Sequence, residues 1–332
     1  MSPDQKRFSQ RVSLVAAVLL LVLLASPVHL VAQTPMPSRV TILVNDLGND
    51  YFQVLSRSVR RTALEWFGNH VRVTVVSSGY DVERQRQQLN SLMAVEPSLV
   101  VLSAADPNAL SAEVQALQAL GHIVIAVDVQ ASGALITITT DNWDAGYRAC
   151  QHLARALNAK GKVALLDGPP VSSISERLEG CQAALYYFTN VEVVDRENSG
   201  ASYVGGIEAM SRLMSRNPDL DGVFSINDPA ALGASAAATL QGRTDLLIAS
   251  VDGSPAFAAA LRESEGPLLT SAAQFPQLMG ARAIVFGLQM LRTGNYTPQE
   301  HRIPVQLITR DNTDEFCEWQ NCAGIDQNTS VP

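Results

Sequence analysis

From Arg39 onward, the chain alternates short runs of β-branched apolar residues with longer segments of helical periodicity. The run RVTILVN (39–45) precedes a helical segment at 51–68 that stops at a glycine, and a strand at 71–78 precedes a helix at 81–95 that opens on an aspartate cap. The apolar runs are nearly continuous rather than alternating, which is typical of strands buried on both faces of a parallel sheet. The pattern therefore predicts an α/β fold with helices covering parallel sheets.

The strand–helix pattern restarts after the segment DNWDAG (141–146) and continues to a final predicted strand at 301–309. A length of 332 residues is about twice that of a usual domain, which favours two domains. We therefore expect two successive doubly wound parallel sheets, followed by a polar and loosely held tail at 310–332.

The first 32 residues are typical of an export signal. Basic residues precede an apolar run of 14 residues from Val12 to Ala25, which is shorter than the roughly 20 residues that span a bilayer. A small residue, Ala32, offers a cleavage point. We expect a cleavable signal peptide over 1–32, with a membrane anchor as the alternative. Because no cysteine near this point could carry a lipid, the predicted location is a Gram-negative periplasm.

The charge balance disfavours nucleic-acid binding. The formal net charge is −8, and the chain contains three lysines, Lys6, Lys160 and Lys162. Such a chain lacks the basic surface that neutralises phosphate backbones.

The four cysteines suit an oxidising compartment. Cys317 and Cys322 enclose four residues, and we expect a small local disulfide rather than a zinc site, because two further ligands are not in view. Cys150 and Cys181 fall on two predicted helices. For these two we prefer buried free thiols slightly to a bridge.

Polar side chains follow almost every predicted strand. The set comprises Asn45, Asp46, Asp128, Asp167, Asn227, Asp228, Asp252 and Gln274. Ligands of parallel α/β sheets bind at the carboxyl ends of the strands, and carboxylates and carboxamides suit a neutral, hydroxyl-rich ligand. The alternative for each single aspartate is that it caps the next helix. The set as a whole favours a polar binding site.

Motifs for nucleotide phosphates, a serine nucleophile elbow or a zinc protease are missing from the sequence. We therefore expect neither a cofactor nor a metal, and an enzyme is disfavoured. An exported hydrolase is kept as the alternative enzyme class, with Asp128 and Asp252 as its only carboxylate pair of interest.

Seven short motifs follow one another along the chain: NDLGNDYF (45–52), IVIAVDVQ (123–130), DNWDAG (141–146), SERLEGC (175–181), FSINDPAALGA (224–234), SVDGSP (250–255) and AAQFPQLMG (272–280). In sequence and order they resemble the motifs of ribose-type periplasmic sugar-binding proteins. The resemblance covers roughly 39–309. It implies the type I periplasmic binding protein fold, with two lobes joined by a hinge that the chain crosses three times. It also implies ligand contacts at Asn49, Tyr51, Phe52, Asp128, Arg177, Asn227, Asp252 and Gln274.

The resemblance implies a monomeric solute-binding protein that closes around a sugar, polyol or cyclitol and delivers it to the permease of an ABC importer. A sensor subunit for a histidine kinase or chemoreceptor is the alternative. A transcription regulator of this fold would need DNA-binding helices where the signal segment lies. The expected lobes are 39–141 plus 275–301 and 142–274 plus 302–312, with a tail at 313–332.

Two positions depart from the pattern of aldose-binding relatives. Val129 follows Asp128, where a basic or amide residue is usual, and Ala201 stands where the second lobe usually has an aromatic residue. The resemblance therefore implies the ligand class but not a particular sugar.

Overall fold

The computed structural model describes residues 37–263, 266–294 and 297–319, so the predicted signal segment lies outside the described residues. The strands are β1 (Arg39–Val44), β2 (Arg72–Ser77), β3 (Leu99–Leu102), β4 (Ile123–Val127), β5 (Ile136–Thr140), β6 (Lys160–Asp167), β7 (Asn190–Asn198), β8 (Gly222–Ser225), β9 (Leu247–Asp252), β10 (Leu268–Ala273), β11 (Gln299–Ile303) and β12 (Gln306–Thr309). The helices are α1 (Asp50–Phe67), α2 (Val82–Leu92), α3 (Ser111–Ala119), α4 (Asn142–Ala156), α5 (Ser172–Leu185), α6 (Tyr203–Arg216), α7 (Asp228–Leu240), α8 (Pro255–Glu263) and α9 (Pro276–Thr293). No helix in this part of the chain is long and apolar enough to cross a membrane.

The described strands pair into two six-stranded sheets. The first has the order β11-β5-β4-β3-β1-β2, and the second has the order β12-β10-β9-β8-β6-β7. Neighbouring strands are parallel, except that β12 runs antiparallel to β10. Two parallel-dominated sheets with flanking helices confirm the predicted α/β class with two domains.

The nearly continuous apolar runs are explained by the two covered faces of each sheet. In β1, Val40, Ile42 and Val44 belong to one buried apolar cluster, whereas Leu43 belongs to another on the opposite face. Successive side chains of a strand point to opposite faces, so a sheet covered on both sides needs apolar residues at every position.

Polar side chains fix where the helices begin. The Asn49 side chain accepts a hydrogen bond from the Tyr51 backbone at the start of α1 (2.9 Å), which ends at Gly68 with φ +83°. The predicted cap of α2 is confirmed, since the Asp81 carboxylate accepts from the Arg84 backbone (2.9 Å). These caps satisfy backbone N–H groups that have no partner within the helix.

The chain passes between the two sheets three times. It leaves β5 of the first sheet at Asp141 to enter α4, which packs against the second sheet. It leaves β10 of the second sheet at Gln274 to enter α9, which packs against α1. The last passage lies at Pro304 and Val305, between β11 and β12.

This last passage corrects the prediction of one strand over 301–309. β11 ends at Ile303 and pairs with β5, whereas β12 begins at Gln306 and pairs with β10. Pro304 lies between them and has no N–H group to donate to a ladder, so the strand is interrupted there.

The preference for free thiols at Cys150 and Cys181 is wrong. The two residues form a disulfide that joins α4 to α5, with their Cα atoms 5.0 Å apart. Glycines allow this close crossing. A Cβ atom at Gly146 would lie 1.9 Å from the backbone oxygen of Arg177, and one at Gly180 would lie equally close to that of Trp143.

The expectation of a loosely held tail is also wrong as far as Trp319. Thr313, Phe316 and Trp319 are buried, and the Arg310 side chain donates to the Leu268 carbonyl (2.7 Å). Apolar side chains in an otherwise polar segment anchor it to the second domain. Cys322 lies outside the described residues, so its pairing with Cys317 stays a prediction.

Candidate functional site

A buried cavity lies where the carboxyl ends of the strands of the two sheets meet. The space between its lining residues is about 360 Å³, part of it open to solvent. All eight side chains predicted as ligand contacts line it, namely Asn49, Tyr51, Phe52, Asp128, Arg177, Asn227, Asp252 and Gln274. Tyr80, Val171, Ser173, Ile174, Ala201 and Ile226 complete the lining.

The first turn of α1 supplies the aromatic part of the cavity. Asn49 caps this helix, and Tyr51 and Phe52 lie in its first turn. Their rings meet edge to face, with centroids 5.3 Å apart. The Tyr51 hydroxyl donates to the sulfur of Met279 (3.5 Å). Burial, followed by the charge of Asp128, raises the pKa of Tyr51 well above its ordinary value, so its hydroxyl stays protonated.

Asp128 follows β4 with a left-handed backbone at φ +65°. Two hydrogen bonds to its backbone hold it there: its N–H donates to the Ile138 carbonyl (2.9 Å), and its carbonyl accepts from the Thr139 hydroxyl (2.7 Å). The carboxyl group is 5% exposed and accepts from the Ser103 hydroxyl at 3.4 Å. Burial raises its pKa, and the charge of Arg177 opposes that rise.

Arg177 projects from α5 into the cavity and is buried. Its Nε donates to the Asn142 side chain (2.8 Å), and one Nη donates to the Ile226 carbonyl (2.7 Å). The same Nη lies 3.6 Å from a carboxylate oxygen of Asp252. The guanidinium is therefore fixed by neutral acceptors and also faces a buried carboxyl group.

Asp252 is the last residue of β9, and its side chain has three protein partners. One carboxylate oxygen accepts from the Gln274 amide (2.7 Å), and the other accepts from the Asp228 backbone (3.2 Å). Its φ of +133° is a conformation that an L-residue rarely adopts. Burial raises its pKa, while the charge of Arg177 and the Gln274 hydrogen bond oppose the rise.

A second carboxyl group, Asp228, lies behind Asp252 and is fully buried. It accepts from the Ser271 hydroxyl (2.7 Å) and from the Ser254 backbone (2.7 Å). Burial raises its pKa, and the negative charge of Asp252 raises it further. Two carboxyl groups this close in a dry interior favour protonation of one of them.

Two of the three carboxamides that line the cavity, Asn227 and Gln274, are held by partners on both sides. Asn227 caps α7 through the Ala230 backbone (3.1 Å) and donates to the Ala201 carbonyl (2.9 Å). Gln274 accepts from the Thr140 hydroxyl (2.7 Å), so it connects the end of β5 with the end of β9. Both amides are therefore held in fixed orientations at the cavity surface.

The second domain presents an aliphatic wall rather than an aromatic one. Ala201 lines the cavity as the sequence placed it, together with Val171, Ile174 and Ile226. Val129 is buried in an apolar cluster and does not line the cavity. Aromatic stacking is therefore available from the first domain, whereas the facing wall offers aliphatic contact.

Sequence reasoning missed Tyr80 and Trp319. Tyr80 lies shortly after β2, so the rule that sites form at strand ends could have found it. Trp319 lies in a polar segment with no periodic pattern, and its contact with Asp252 was not visible in the sequence. The described residues contain no group of three or more acidic, histidine or cysteine side chains that could hold a metal ion.

Comparisons with known proteins give a family match and similar relatives. Residues 40–295 match the family model of the periplasmic binding protein domain. The ribose import binding protein of Bacillus subtilis is 27% identical over 252 residues, which are 74% of this chain and 78% of that protein. Its Escherichia coli namesake is 25% identical over 274 residues, covering 82% and 90% of the two chains.

Solved structures share the fold. A solute-binding protein from Actinobacillus succinogenes with bound D-allose has a TM-score of 0.76 at 21% identity, covering 84% of this chain and 99% of that one. One from Bacillus halodurans with bound myo-inositol has the same TM-score at 20% identity, covering 86% and 98%.

Proposed function

Because the chain belongs to the periplasmic binding protein family, whose domain model it matches over residues 40–295, we propose that it captures a small polyhydroxylated ligand and delivers it to an ABC importer. One observation carries this proposal: eight side chains chosen from separate sequence motifs line the same buried cavity. The relatives named for ribose import and the structures with bound allose and myo-inositol support the same ligand class.

The chemistry of the cavity fits a sugar, polyol or cyclitol. Asp128 and Asp252 offer acceptors for hydroxyl groups, and Asn49 and Gln274 add carboxamides. Tyr51 and Phe52 would lie against the apolar C–H face of a ring. The opposite face of the ligand ring would lie against the aliphatic side chains around Ala201. Relatives with an aromatic residue at that position would stack on this face, so the two kinds of cavity would prefer different ligands of similar polarity.

The mechanism is closure about the hinge. Three chain passages join the two domains, so one can rotate on the other without unfolding either sheet. We propose that the protein acts as a monomer in the periplasm, after cleavage near Ala32, and that the closed, loaded form is recognised by an inner-membrane permease. The radius of gyration from small-angle scattering should fall when ligand is added.

A ligand screen tests the proposal. The chain from Gln33 onward is purified and heated with D-ribose, D-allose, myo-inositol and xylitol at millimolar concentration. A ligand at about 1,000 times its Kd adds about 4 kcal/mol to the free energy of unfolding, so the melting temperature should rise clearly for at least one compound. If sugars, polyols and cyclitols all leave the melting temperature unchanged, the ligand class is wrong.

Two substitutions locate the site. Asp252→Ala removes the carboxylate that accepts from the Gln274 amide and faces Arg177, and it would deprive a ligand hydroxyl of its acceptor. An unpaired buried polar group costs about 1–3 kcal/mol, which is roughly fivefold to more than a hundredfold in affinity. Arg177→Ala should also weaken binding. Asp167→Ala is the matched control, since Asp167 also ends a strand of the second sheet but pairs with Arg196 outside the cavity. Wild-type affinity in both folded site variants would show that the site lies elsewhere.

A further inference from the structure

The segment after β12 packs on the second domain, and its described part extends to the carboxyl end of β9. Phe316 is buried, and a Cβ atom at Gly253 would lie 3.3 Å from its ring. Arg262 on α8 forms an ion pair with Glu318 (3.1 Å). Together with the Arg310 hydrogen bonds, these contacts bring residue 319 to the carboxyl end of β9.

Trp319 contacts one cavity residue from each domain. Its indole N–H donates to the backbone carbonyl of Asp252 (2.9 Å), which belongs to the second sheet. Its ring meets that of Tyr51 edge to face, with centroids 5.9 Å apart, and Tyr51 belongs to the first domain. Trp319 is 3% exposed and does not itself line the cavity.

The carbonyl that Trp319 holds belongs to a strained residue. Asp252 has φ +133° and Gly253 follows with φ +63°. The Asp252 carbonyl also accepts from the Gln274 backbone (2.9 Å), so two donors fix this peptide group. Rare backbone conformations persist only where the surroundings hold them, and the direction of the Asp252 side chain depends on this one.

We propose that Trp319 is a positioning residue, which sets Asp252 and Tyr51 for ligand and stabilises the arrangement in which the two domains face each other closely. The indole N–H orients the Asp252 peptide, and the ring contacts that of Tyr51 edge to face. Opening of the domains would separate these two contacts, so Trp319 favours closure. The role in binding rests on the proposed function.

The experiment uses Trp319→Phe, which keeps an aromatic ring and removes the N–H donor, and Trp319→Ala, which removes both. Trp143→Phe is the matched control, because Trp143 is 41% exposed and lies outside the cavity. Affinity is measured for the compound among D-ribose, D-allose, myo-inositol and xylitol that raises the wild-type melting temperature most. Loss of one hydrogen bond predicts roughly two- to tenfold weaker binding of that compound for Trp319→Phe, and Trp319→Ala should weaken its binding more. The control should bind like wild type.

Hydrogen exchange without ligand supplies a second measurement. The Gln274 amide should exchange faster in Trp319→Phe than in Trp143→Phe, because it shares the Asp252 carbonyl with the indole N–H. The Tyr51 amide should exchange faster in Trp319→Ala, which also removes the ring that contacts Tyr51. If no ligand in the panel binds the wild type, the proposed function fails, and exchange alone decides the positioning role.

A purely structural role predicts a different result. Trp319→Phe would then lower the melting temperature without changing the affinity or the exchange of the Gln274 amide. That result, or wild-type affinity and exchange in both folded variants, would overturn the proposal.

Discussion

Removing the bridge between Cys150 and Cys181 should destabilise the second domain by a predictable amount. The cysteines are separated by 31 residues in the sequence. In the loop-closure model, a cross-link of this length removes about 12 cal/mol/K from the entropy of the unfolded chain, which is about 3.7 kcal/mol of folding stability at 25 °C. We therefore expect Cys150→Ala combined with Cys181→Ala to lose roughly 3–4 kcal/mol.

Equilibrium urea unfolding, followed by far-ultraviolet circular dichroism, measures this loss. The oxidised wild type is compared with the reduced wild type and with the double variant. The double variant with and without reductant is the control, because any remaining response to reductant comes from the two other cysteines. Reduced wild type should approach the double variant. A loss below about 1 kcal/mol, or two freely alkylated thiols at these positions in unreduced protein, would refute the reasoning.

Three further changes test other features. Burial raises the pKa of Asp228 to about 8. Its contribution to stability is therefore present below the ordinary carboxyl pKa near 4 and is lost as pH rises through the raised value. Asp228→Asn should make the free energy of urea unfolding depend less on pH between pH 5 and 8, and an unchanged pH dependence would contradict this. Gly146→Ala places a methyl group against the Arg177 backbone, which should cost about 1–3 kcal/mol and weaken ligand binding, as calorimetry of unfolding and of binding would show. Cys317 and Cys322 should appear as a peptide two hydrogens lighter than its reduced form in mass spectrometry of unreduced protein, and free alkylation of both would exclude the pairing.

The sheet strands and their polar ends could be predicted because local sequence encodes them. A strand covered on both faces is apolar at nearly every position; β4 is apolar throughout, and β1 is apolar at four of its six positions. Asp128 and Asp252 were found because strand ends and short motifs are visible in one stretch of sequence. The positions of these residues in one cavity then follow from the parallel arrangement of the strands.

The features that escaped prediction depend on contacts between distant segments. The bridge between Cys150 and Cys181 requires the crossing of two helices, and that crossing is set by glycines whose neighbours are known only after folding. Trp319 lies in a polar segment without periodicity, so no sequence pattern predicts that its side chain is buried. The break at Pro304 escaped prediction because β11 and β12 pair with strands of different sheets, and these partners are distant in sequence.

The passage at Pro304 has a consequence for how the protein is made. β11 and β12 are adjacent in sequence, yet each forms the outer edge of a different sheet, beside β5 and β10. A ribosome or a translocation channel releases these strands late, so the first sheet gains its last strand only when residue 303 has emerged, and the second only when residue 309 has emerged. A stop codon before residue 299 would leave both sheets with an unpaired edge, which is a template for aggregation. Truncation near the end of the reading frame therefore damages both domains at once.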